Sequence, residues 1–378
     1  MKIAVLAHVR HAIREPFMGG MEAHCRQLCD GLRASGHDVT LFAAEGSDDP
    51  QMFPICAAPY EAVLPWAIWR GTEELVGWQH AAFAAGWEGV RTGGFDVVHN
   101  NSLSPDIIEW AARDKVACVT SHHVPPFDTI ASATVRNLAL PWLKFTLPSA
   151  AQHANWQPAH RQNLHVVHNG ISTALWAPQS QRSAHFVWSG RITPSKGTHL
   201  AVQAALAADA SLRLFGPIED EAYFTSEVAP LLNDAITYCG HRTAQQLALE
   251  VGSALGVVIT PMWDEPFGLV AAEALACGTP VCAFGNGALP EVVGRCGYLV
   301  PNGDVGALAH AMRNVWRINR DDCRSRAQRL FSTQSMIASY ERLYHAAAAG
   351  AAAFARDDYQ AAAGASASNT ASTTAVLA

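Results

Sequence analysis

The strongest constraint on the fold is a repeated alternation of short apolar segments with segments of helical periodicity. Lys2–Ala7 and Val39–Ala43 have the length and composition of buried parallel strands. Between them, apolar residues of Met21–Leu32 return at helical spacing and share one face of a helix that ends at Gly36. A strand–helix–strand unit of this kind makes a right-handed crossover within one parallel sheet. The N-terminal segment therefore predicts an α/β fold.

The alternation continues in two series. In the first series, further strands are predicted at Asp96–His99, Val116–Ser121 and Leu164–His168. In the second series, helices are predicted from about Thr198 and at Ala244–Gly252 and Gly268–Ala276, and strands at Ala184–Ser189, Leu212–Phe215, Ile236–Tyr238, Val257–Thr260 and Val281–Ala283. Two such series predict an α/β protein with two doubly wound, Rossmann-like domains.

A polar segment that contains Pro178, Ser172–Arg182, separates the two series. We therefore predict a first domain over residues 1–175 and a second domain over residues 176–332. Thr333–Ala347 is predicted to be a helix. Residues 348–378 are rich in Ala, Ser, Thr and Gly, with few residues to bury, and they are predicted to be a disordered tail.

Composition excludes several classes of protein. The chain has 26 Lys and Arg against 33 Asp and Glu, so it lacks the basic excess of a nucleic-acid-binding protein. No stretch reaches the roughly 20 apolar residues of a membrane span, although peripheral contact with a membrane stays compatible with the sequence. The nine cysteines form no C-x-x-C pair, and the N-terminus becomes polar too early for a signal peptide. We expect a reduced, cytoplasmic protein.

Motifs of other enzyme classes are missing from the sequence. No G-x-G-x-x-G follows the first predicted strand, which argues against hydride transfer. There is no compact Asp/His cluster and no G-x-S-x-G elbow. We therefore expect neither a metal site nor a bound cofactor.

The first segment with a chemical signature is Ser189–Gly197, directly after a predicted strand. Arg191 and Lys196 lie on a loop flanked by Gly190 and could place two cations over one anion. Ligands of open α/β sheets bind at this end of the strands. A solvated basic loop explains the segment equally well on its own.

The second segment, Asp264–Val281, is more specific. The N–H groups of Gly268–Val270 open a predicted helix and form an anion site at the positive end of its dipole. Glu265 lies before this site, and Glu273 follows within an otherwise apolar helix. Two carboxylates on either side of a phosphate site match an extended ligand such as a nucleotide-sugar. Favourable acids at a helix N-terminus would explain Glu265 but not Glu273.

Gly19 and Gly20 precede the first predicted helix. Glycines at a helix N-terminus allow the backbone to approach a phosphate or an acceptor. A tight turn into the helix is the alternative explanation, and both can hold.

Together these motifs resemble family 4 of the retaining glycosyltransferases, whose architecture of two Rossmann-like domains facing a cleft is called GT-B. The resemblance lies in G-R-x-x-P-x-K-G followed by E-P-F-G-L-V-x-x-E-A-x-A-x-G-T-P-V, and it covers about residues 1–345. It extends to Gly19–Glu22, Gly36–Thr40, Phe95–His99, Asn169–Ile171 and Pro290–Val293. The sequence departs from the common pattern at Ser172, where Asp is usual. The resemblance also implies that the C-terminal helix returns to the first domain.

The resemblance implies a role for each site residue. Arg191 and Lys196 would bind the donor diphosphate. Glu273 would hold the ribose, and Glu265 the hydroxyls of the transferred sugar. A histidine after the predicted strand Val116–Ser121 would reach that sugar from across the cleft, and His122 fits this position better than His123. The implied catalytic residues are therefore His122, Arg191, Lys196 and Glu265. The implied donor-binding residues are Gly19, Gly20, Gly190, Arg191, Lys196, Glu265, Phe267, Gly268, Leu269, Val270 and Glu273.

The implied activity is metal-independent transfer of a hexose from a nucleotide diphosphate sugar to an acceptor hydroxyl, with retention of configuration. UDP is more common than GDP in this family. The acceptor, which could be a glycan, a lipid or a small molecule, would be read by His8–Gly20 and by the tryptophan-rich segment Pro54–Gly94, although core packing explains those tryptophans better. A nucleotide-sugar 2-epimerase and a non-catalytic nucleotide-sugar-binding protein are the alternatives.

Overall fold

The computed structural model describes residues 1–161 and 163–373, which form two sheets of parallel strands covered by helices. The first sheet has seven strands in the order β3-β2-β1-β4-β5-β6-β7. The second has six strands in the order β10-β9-β8-β11-β12-β13. Every strand pairs with its neighbours in parallel register. The predicted doubly wound α/β fold is thereby confirmed.

The first domain consists of the seven-stranded sheet and the helices that connect its strands. Its strands are β1 Lys2–Ala7, β2 Asp38–Ala44, β3 Met52–Cys56, β4 Val97–Asn101, β5 Cys118–Ser121, β6 Leu143–Leu147 and β7 Leu164–Val166. Its helices are α1 Gly20–Ala34, α2 Tyr60–Val63, α3 Trp66–Trp69, α4 Glu73–Thr92, α5 Pro105–Arg113, α6 Asp128–Asn137, α7 Ala150–Ala154 and α8 Pro158–Arg161.

The chain enters the second sheet after β7. The second-domain strands are β8 His185–Ser189, β9 Ser211–Phe215, β10 Ile236–Tyr238, β11 Val257–Ile259, β12 Val281–Phe284 and β13 Gly297–Val300. The helices that follow β8 are α9 Thr198–Ala208, α10 Glu221–Tyr223, α11 Ala244–Ser253, α12 Leu269–Ala276, α13 Leu289–Val293, α14 Val305–Asn314, α15 Arg320–Leu330 and α16 Thr333–Thr373. Short 3-10 turns lie at Pro194–Lys196, Ala229–Leu231 and Val315–Arg317, and Phe224–Val228 is a π-helical segment.

The strand order determines where ligands can bind. In the first sheet, β1 lies between β2 and β4; in the second, β8 lies between β9 and β11. The direction of winding reverses at these two points, and the crevice outside the carboxyl ends of the strands there is the usual ligand site of such folds. The fold therefore places the expected ligand site at the loops that follow β1, β4, β8 and β11.

Helix α16 returns to the first domain, as the family resemblance implies. Met336, Ile337, Tyr340 and Tyr344 are buried in a cluster that includes apolar residues of β1 and α1. The structure shows no membrane-length apolar helix among the residues that it describes.

The C-terminal helix is longer than predicted. The sequence predicts its end at Ala347 and a disordered tail over 348–378, but α16 continues to Thr373. Phe354 packs on Trp142 with ring centroids 4.8 Å apart, which anchors the start of the predicted tail on the first domain. Alanine, which dominates this stretch, has the highest intrinsic helix propensity. Residues 374–378 lie outside the described part of the chain.

The sequence analysis does not predict three of the strands, β3, β6 and β13. The edge strand β3 contains Pro54, and an edge position tolerates the missing N–H. The tryptophans of the segment Pro54–Gly94 pack in or against the core of the first domain, and Trp87 is buried. Core packing is therefore the correct interpretation of Trp87.

Candidate active site

A cleft lies between the two domains, with a cavity volume of about 330 Å³. Its first-domain wall comes from the loop that follows β1, the start of α1 and the end of β5. Its second-domain wall comes from the loops that follow β8, β9 and β11. The predicted residues that line the cleft are Gly19, Gly20, Gly190, Arg191, Lys196, Glu265, Phe267, Gly268, Leu269, Val270 and Glu273. The ring of Phe267 itself packs into the core beside His168 and Phe331.

Lys196 and Glu265 form an ion pair at the centre of the second-domain wall. Nζ of Lys196 donates to Oε2 of Glu265 at 2.7 Å, and Nε1 of Trp263 donates to the same oxygen at 3.1 Å. The ammonium group also lies 5.3 Å from the centre of the Trp263 ring, a cation–π contact. Lys196, implied for the diphosphate, and Glu265, implied for the sugar, are thus neighbours. An incoming phosphate would compete with Glu265 for Lys196.

Arg191 is held in a second cluster of charges that bridges the domains. Nη1 of Arg191 donates to Glu219 at 2.5 Å, and Nη2 of Arg10, which follows β1, donates to the other oxygen of Glu219 at 2.7 Å. Arg10 also donates to Glu61 at 2.8 Å. Sequence analysis missed Arg10 and Glu219 because neither belongs to a motif and 209 positions separate them.

Two helix N-termini meet across the cleft. The residue before α12, Gly268, has φ +90°, and a Cβ there would lie 2.7 Å from the Leu289 side chain, so only glycine fits. On the opposite wall α1 begins after Gly19, and a Cβ on Gly20 would lie 2.8 Å from Leu269. The first N–H groups of each helix have no intrahelical partner, and both dipoles present their positive ends to the cavity.

Glu273 lines the cleft from the second turn of α12. Burial raises the pKa of its carboxyl group to about 8. Neighbouring residues of the helix are apolar, and no described residue forms a hydrogen bond or ion pair with the carboxyl group. The residue is half-buried and faces the cavity, so a polar group of a ligand could hydrogen-bond to its carboxyl group there.

The structure places the predicted histidine outside the lining of the cleft. His122 is 2% exposed, stacks on Phe145, and its Nε2 lies 3.1 Å from the Thr134 hydroxyl, so it does not line the cleft. His123 lines the cleft instead. Side chains alternate across a strand, and Val119 already packs on the α1 side, so the odd-numbered positions of β5 face the cleft wall. That period of two was the signal in the sequence that would have selected His123.

Glu291, within the motif Pro290–Val293, holds the domains together. Its carboxylate accepts hydrogen bonds from Nε2 of His168 at 2.7 Å and from the N–H groups of Ala150 and Ala151 at 3.1 and 3.2 Å. Burial alone would raise its pKa, but the contact with His168 and the two N–H groups hold the pKa below the usual value. The neighbouring Ser149 donates to the carbonyl of Pro266 at 2.6 Å, so the same first-domain turn also contacts the loop that carries Glu265.

The chain matches two family models. Residues 18–175 match Glycosyltransferase Family 4, and residues 183–317 match Glycosyl transferases group 1. The D-inositol 3-phosphate glycosyltransferase of Mycolicibacterium smegmatis is 27% identical, with 83% of each chain covered.

Solved structures share the fold. Sucrose-phosphate synthase from Thermosynechococcus elongatus has a TM-score of 0.74 at 23% identity, covering 91% of this chain and 98% of its own. HepE from Anabaena, solved in complex with UDP-glucose, has a TM-score of 0.65 at 17% identity, covering 90% of this chain and 98% of its own.

Proposed function

The chain belongs to glycosyltransferase family 4, and on this premise we propose that this glycosyltransferase moves a hexose from a UDP-sugar to an acceptor hydroxyl, with retention of the anomeric configuration and without a metal ion. The observation that carries the proposal is Glu273, a carboxyl group that lines the cleft without a partner among the described residues. Two adjacent hydroxyls of a ribose are suitable partners, because each can donate to one carboxylate oxygen.

The charge around the cavity suits a diphosphate. Lys196 and Arg191 lie on the second-domain wall, where the positive end of α12 also points. A diphosphate placed there would replace Glu265 as the partner of Lys196 and Glu219 as a partner of Arg191. These groups supply positive charge where negative charge develops on the leaving group, which is the role that a divalent metal plays in other enzymes.

Glu265 and His123 are the candidates for contact with the transferred sugar. Oε2 of Glu265 accepts from Lys196 and Trp263, which leaves Oε1 available for a sugar hydroxyl. His123 approaches from the opposite wall of the cavity. The hexose would then lie between the two domains, with the nucleotide against the second domain.

Retention of configuration is consistent with the first-domain wall. Among its described residues that line the cavity, His123 is ionisable and none carries a carboxylate that could act as a covalent nucleophile. We infer a front-face reaction. The acceptor oxygen bonds to the anomeric carbon while the bond from that carbon to the diphosphate oxygen breaks, and the acceptor proton passes to the departing phosphate. The products are a glycoside and UDP.

The choice of UDP rests on similarity in fold to a protein solved with UDP-glucose. The first acceptor to try is suggested by the relatives, whose names specify D-inositol 3-phosphate. Small polyols and their phosphates therefore come first in an acceptor panel.

Turnover tests the proposal directly. The protein is incubated with UDP-glucose and each acceptor in excess EDTA, released UDP is quantified, and the anomeric configuration of the product is read by NMR. We expect acceptor-dependent UDP release that survives EDTA and an α-linked glucoside. An inverted product, loss of activity in EDTA with recovery in Mg²⁺, or release of UDP with a 2-epimerised free sugar would each overturn the corresponding part of the proposal.

A further inference from the structure

We propose that Asn101 is a positioning residue that fixes the orientation and the tautomer of His123 in the cleft. The proposal rests on the proposed function, in which His123 contacts the transferred sugar. It goes beyond that function because it assigns a role to a buried residue outside the cavity and to the network behind it.

The contact between the two side chains is short. Asn101, the last residue of β4, is 2% exposed, and its Oδ1 lies 2.7 Å from Nε2 of His123. The same Oδ1 lies 3.1 Å from Nε2 of His99. In this orientation of the Asn101 amide, Nδ2 is buried without a described partner and the oxygen accepts from both rings, so both imidazoles carry their hydrogen on Nε2.

This assignment leaves Nδ1 of His123 as an acceptor. A neutral imidazole with its hydrogen on Nε2 has its lone pair on Nδ1, and no described residue is hydrogen-bonded to that atom. Burial lowers the pKa of His123 well below its usual value, and His24 of α1, the adjacent His122 and His8 after β1 lower it further. The ring is therefore neutral near pH 7, and Nδ1 can accept a hydrogen bond from a sugar hydroxyl.

The support for Asn101 extends to the C-terminal helix. Because Nε2 of His99 carries the hydrogen, its Nδ1 accepts from the hydroxyl of Tyr344 at 2.6 Å. Ser121 lies 3.0 Å from Nε2 of His99 and 3.0 Å from the hydroxyl of Tyr340. Helix α16 thus anchors the network, and the return of this helix to the first domain gives His123 a fixed support.

A second histidine provides a matched control. His122 contacts Thr134, which is fully buried, through one hydrogen bond at 3.1 Å, but it lies outside the cleft. Thr134→Val and Asn101→Leu are both close in shape to the native residue, and each removes the hydrogen-bond partner of one of the two adjacent histidines. A purely structural role for Asn101 predicts the same behaviour for the two variants.

We expect the variants to differ. Asn101→Leu should lower UDP release from UDP-glucose in the presence of acceptor by about tenfold, with little change in the KM for UDP-glucose, since an unsupported imidazole samples both tautomers. Thr134→Val should lower only the melting temperature. Asn101→Asp keeps an acceptor for both imidazoles, so it should retain the tautomer. Its carboxylate faces His123 and His99 and should move the acidic limb of the pH–rate profile to higher pH.

The tautomer is measured independently of turnover. In protein labelled with ¹⁵N-histidine, two-bond ¹H–¹⁵N correlation should show His123, assigned with His123→Gln, as a single Nε2–H tautomer near pH 7. Asn101→Leu should give a mixture, and Asn101→Asp and Thr134→Val the single form. An unchanged tautomer in Asn101→Leu would overturn the proposal.

The same spectra separate this proposal from the proposed function. If UDP-glucose is not a substrate but Asn101→Leu still changes the tautomer of His123, the proposed donor is wrong and the role of Asn101 stands. If Asn101→Leu does not fold, Tyr344→Phe removes the donor to Nδ1 of His99 at the far end of the network. It should broaden or split the His123 signals in folded protein, and an unchanged His123 signal there would contradict the proposal.

Discussion

The two walls of the cleft are built from different kinds of contact. On the second-domain wall, Arg191 and Lys196 are 36% and 24% exposed at their side chains and form ion pairs with carboxylates. On the first-domain wall, His123 is supported by Asn101 and His99, both buried and neutral. Exposed ion pairs can exchange partners when an anion arrives, whereas a buried hydrogen-bonded network keeps one geometry. The second domain is thus suited to capture a charged ligand, and the first to orient a neutral one.

The largest effect should come from the cations of the second-domain wall. Lys196→Ala or Arg191→Ala should each lower turnover by about 10²–10³, because each removes a preorganised positive group from a developing negative charge. The melting temperature should change little, since both side chains are partly exposed. Arg213→Ala is the matched control, because Arg213 forms a similar pair with Glu250 and does not line the cleft. Equal turnover in all three variants would show that the cations of the second-domain wall do not stabilise the leaving group.

Sequence motifs identify most of the charged residues of the second-domain wall, although they omit Glu219, the partner of Arg191, and they identify few residues of the first-domain wall. Arg191, Lys196 and Glu265 lie in two segments that directly follow strands, and Glu273 lies in the helix after the second segment, so their spacing brings them to one edge of the sheet. Asn101 is brought to His123 by strand pairing between β4 and β5. The alternation of side chains that places Val119 on the α1 side also selects His123 over His122, and this signal lies in the strand pattern and not in a motif.

Length and burial limited the prediction of the fold in a similar way. Strands at the sheet centres, such as β1 and β8, are mostly apolar and buried, and the sequence predicts them with nearly their observed bounds. The partly buried β13 and the edge strand β3 carry weaker patterns and were missed. The extension of α16 was missed because alanine contributes helix propensity without an amphipathic pattern.

Replacing each of the two adjacent histidines by alanine tests which of them acts on the first-domain wall of the cleft. His123→Ala should lower turnover by about 10–100-fold with little loss of stability, since it removes the hydrogen-bond partner of a sugar hydroxyl in the cleft. His122→Ala should lower the stability and leave turnover nearly unchanged. Its ring is buried against Phe145 and Trp156, and its removal leaves a cavity. Turnover per folded molecule and thermal unfolding distinguish the two. A loss of turnover confined to His122→Ala would restore the original prediction.

Substitutions of the two acids of the second-domain wall should have different effects on UDP binding. Glu273→Gln should weaken UDP binding by roughly 10–100-fold, the range for a charge-assisted hydrogen bond of about 1.5–3 kcal/mol. Glu265→Gln should lower turnover but leave UDP binding equal or tighter, because it frees Lys196 for the phosphate. Calorimetry on both variants measures these effects. Weaker UDP binding in Glu265→Gln alone would reverse the assignment.

The pKa of Glu273 also predicts whether protons are released or taken up when the donor binds. With a pKa of about 8, the free carboxyl group is mostly protonated at pH 7, and ribose hydroxyls favour its ionised form. Binding of UDP-glucose, which has no phosphate that titrates near pH 7, should therefore release close to one proton from the wild type and none from Glu273→Gln. Calorimetry in buffers of different ionisation enthalpy counts the protons. Proton uptake, or equal release from both proteins, would contradict the assignment.

The smallest effect should come from Glu291, which joins the walls without lining the cleft. Glu291→Gln replaces a carboxylate that accepts from His168, Ala150 and Ala151. We expect kcat/KM to fall only a few-fold, because Ser149 still holds the loop of Pro266, and the melting temperature to fall by about 2–4 °C. Small-angle scattering should show a larger radius of gyration.

The pH dependence of that stability difference distinguishes a domain contact from a local change. The folded-state pKa of Glu291 is held below its unfolded value, near 4.5, so its contribution is complete above that value and disappears as the pH falls through the lower, folded-state pKa. The gap in melting temperature between wild type and Glu291→Gln should therefore be full at pH 7 and close in acid. Glu250→Gln, which alters a carboxylate paired within the second domain, should leave kcat/KM and the radius of gyration unchanged. If Glu250→Gln expands the protein as much as Glu291→Gln, the contact at Glu291 does not hold the two walls together.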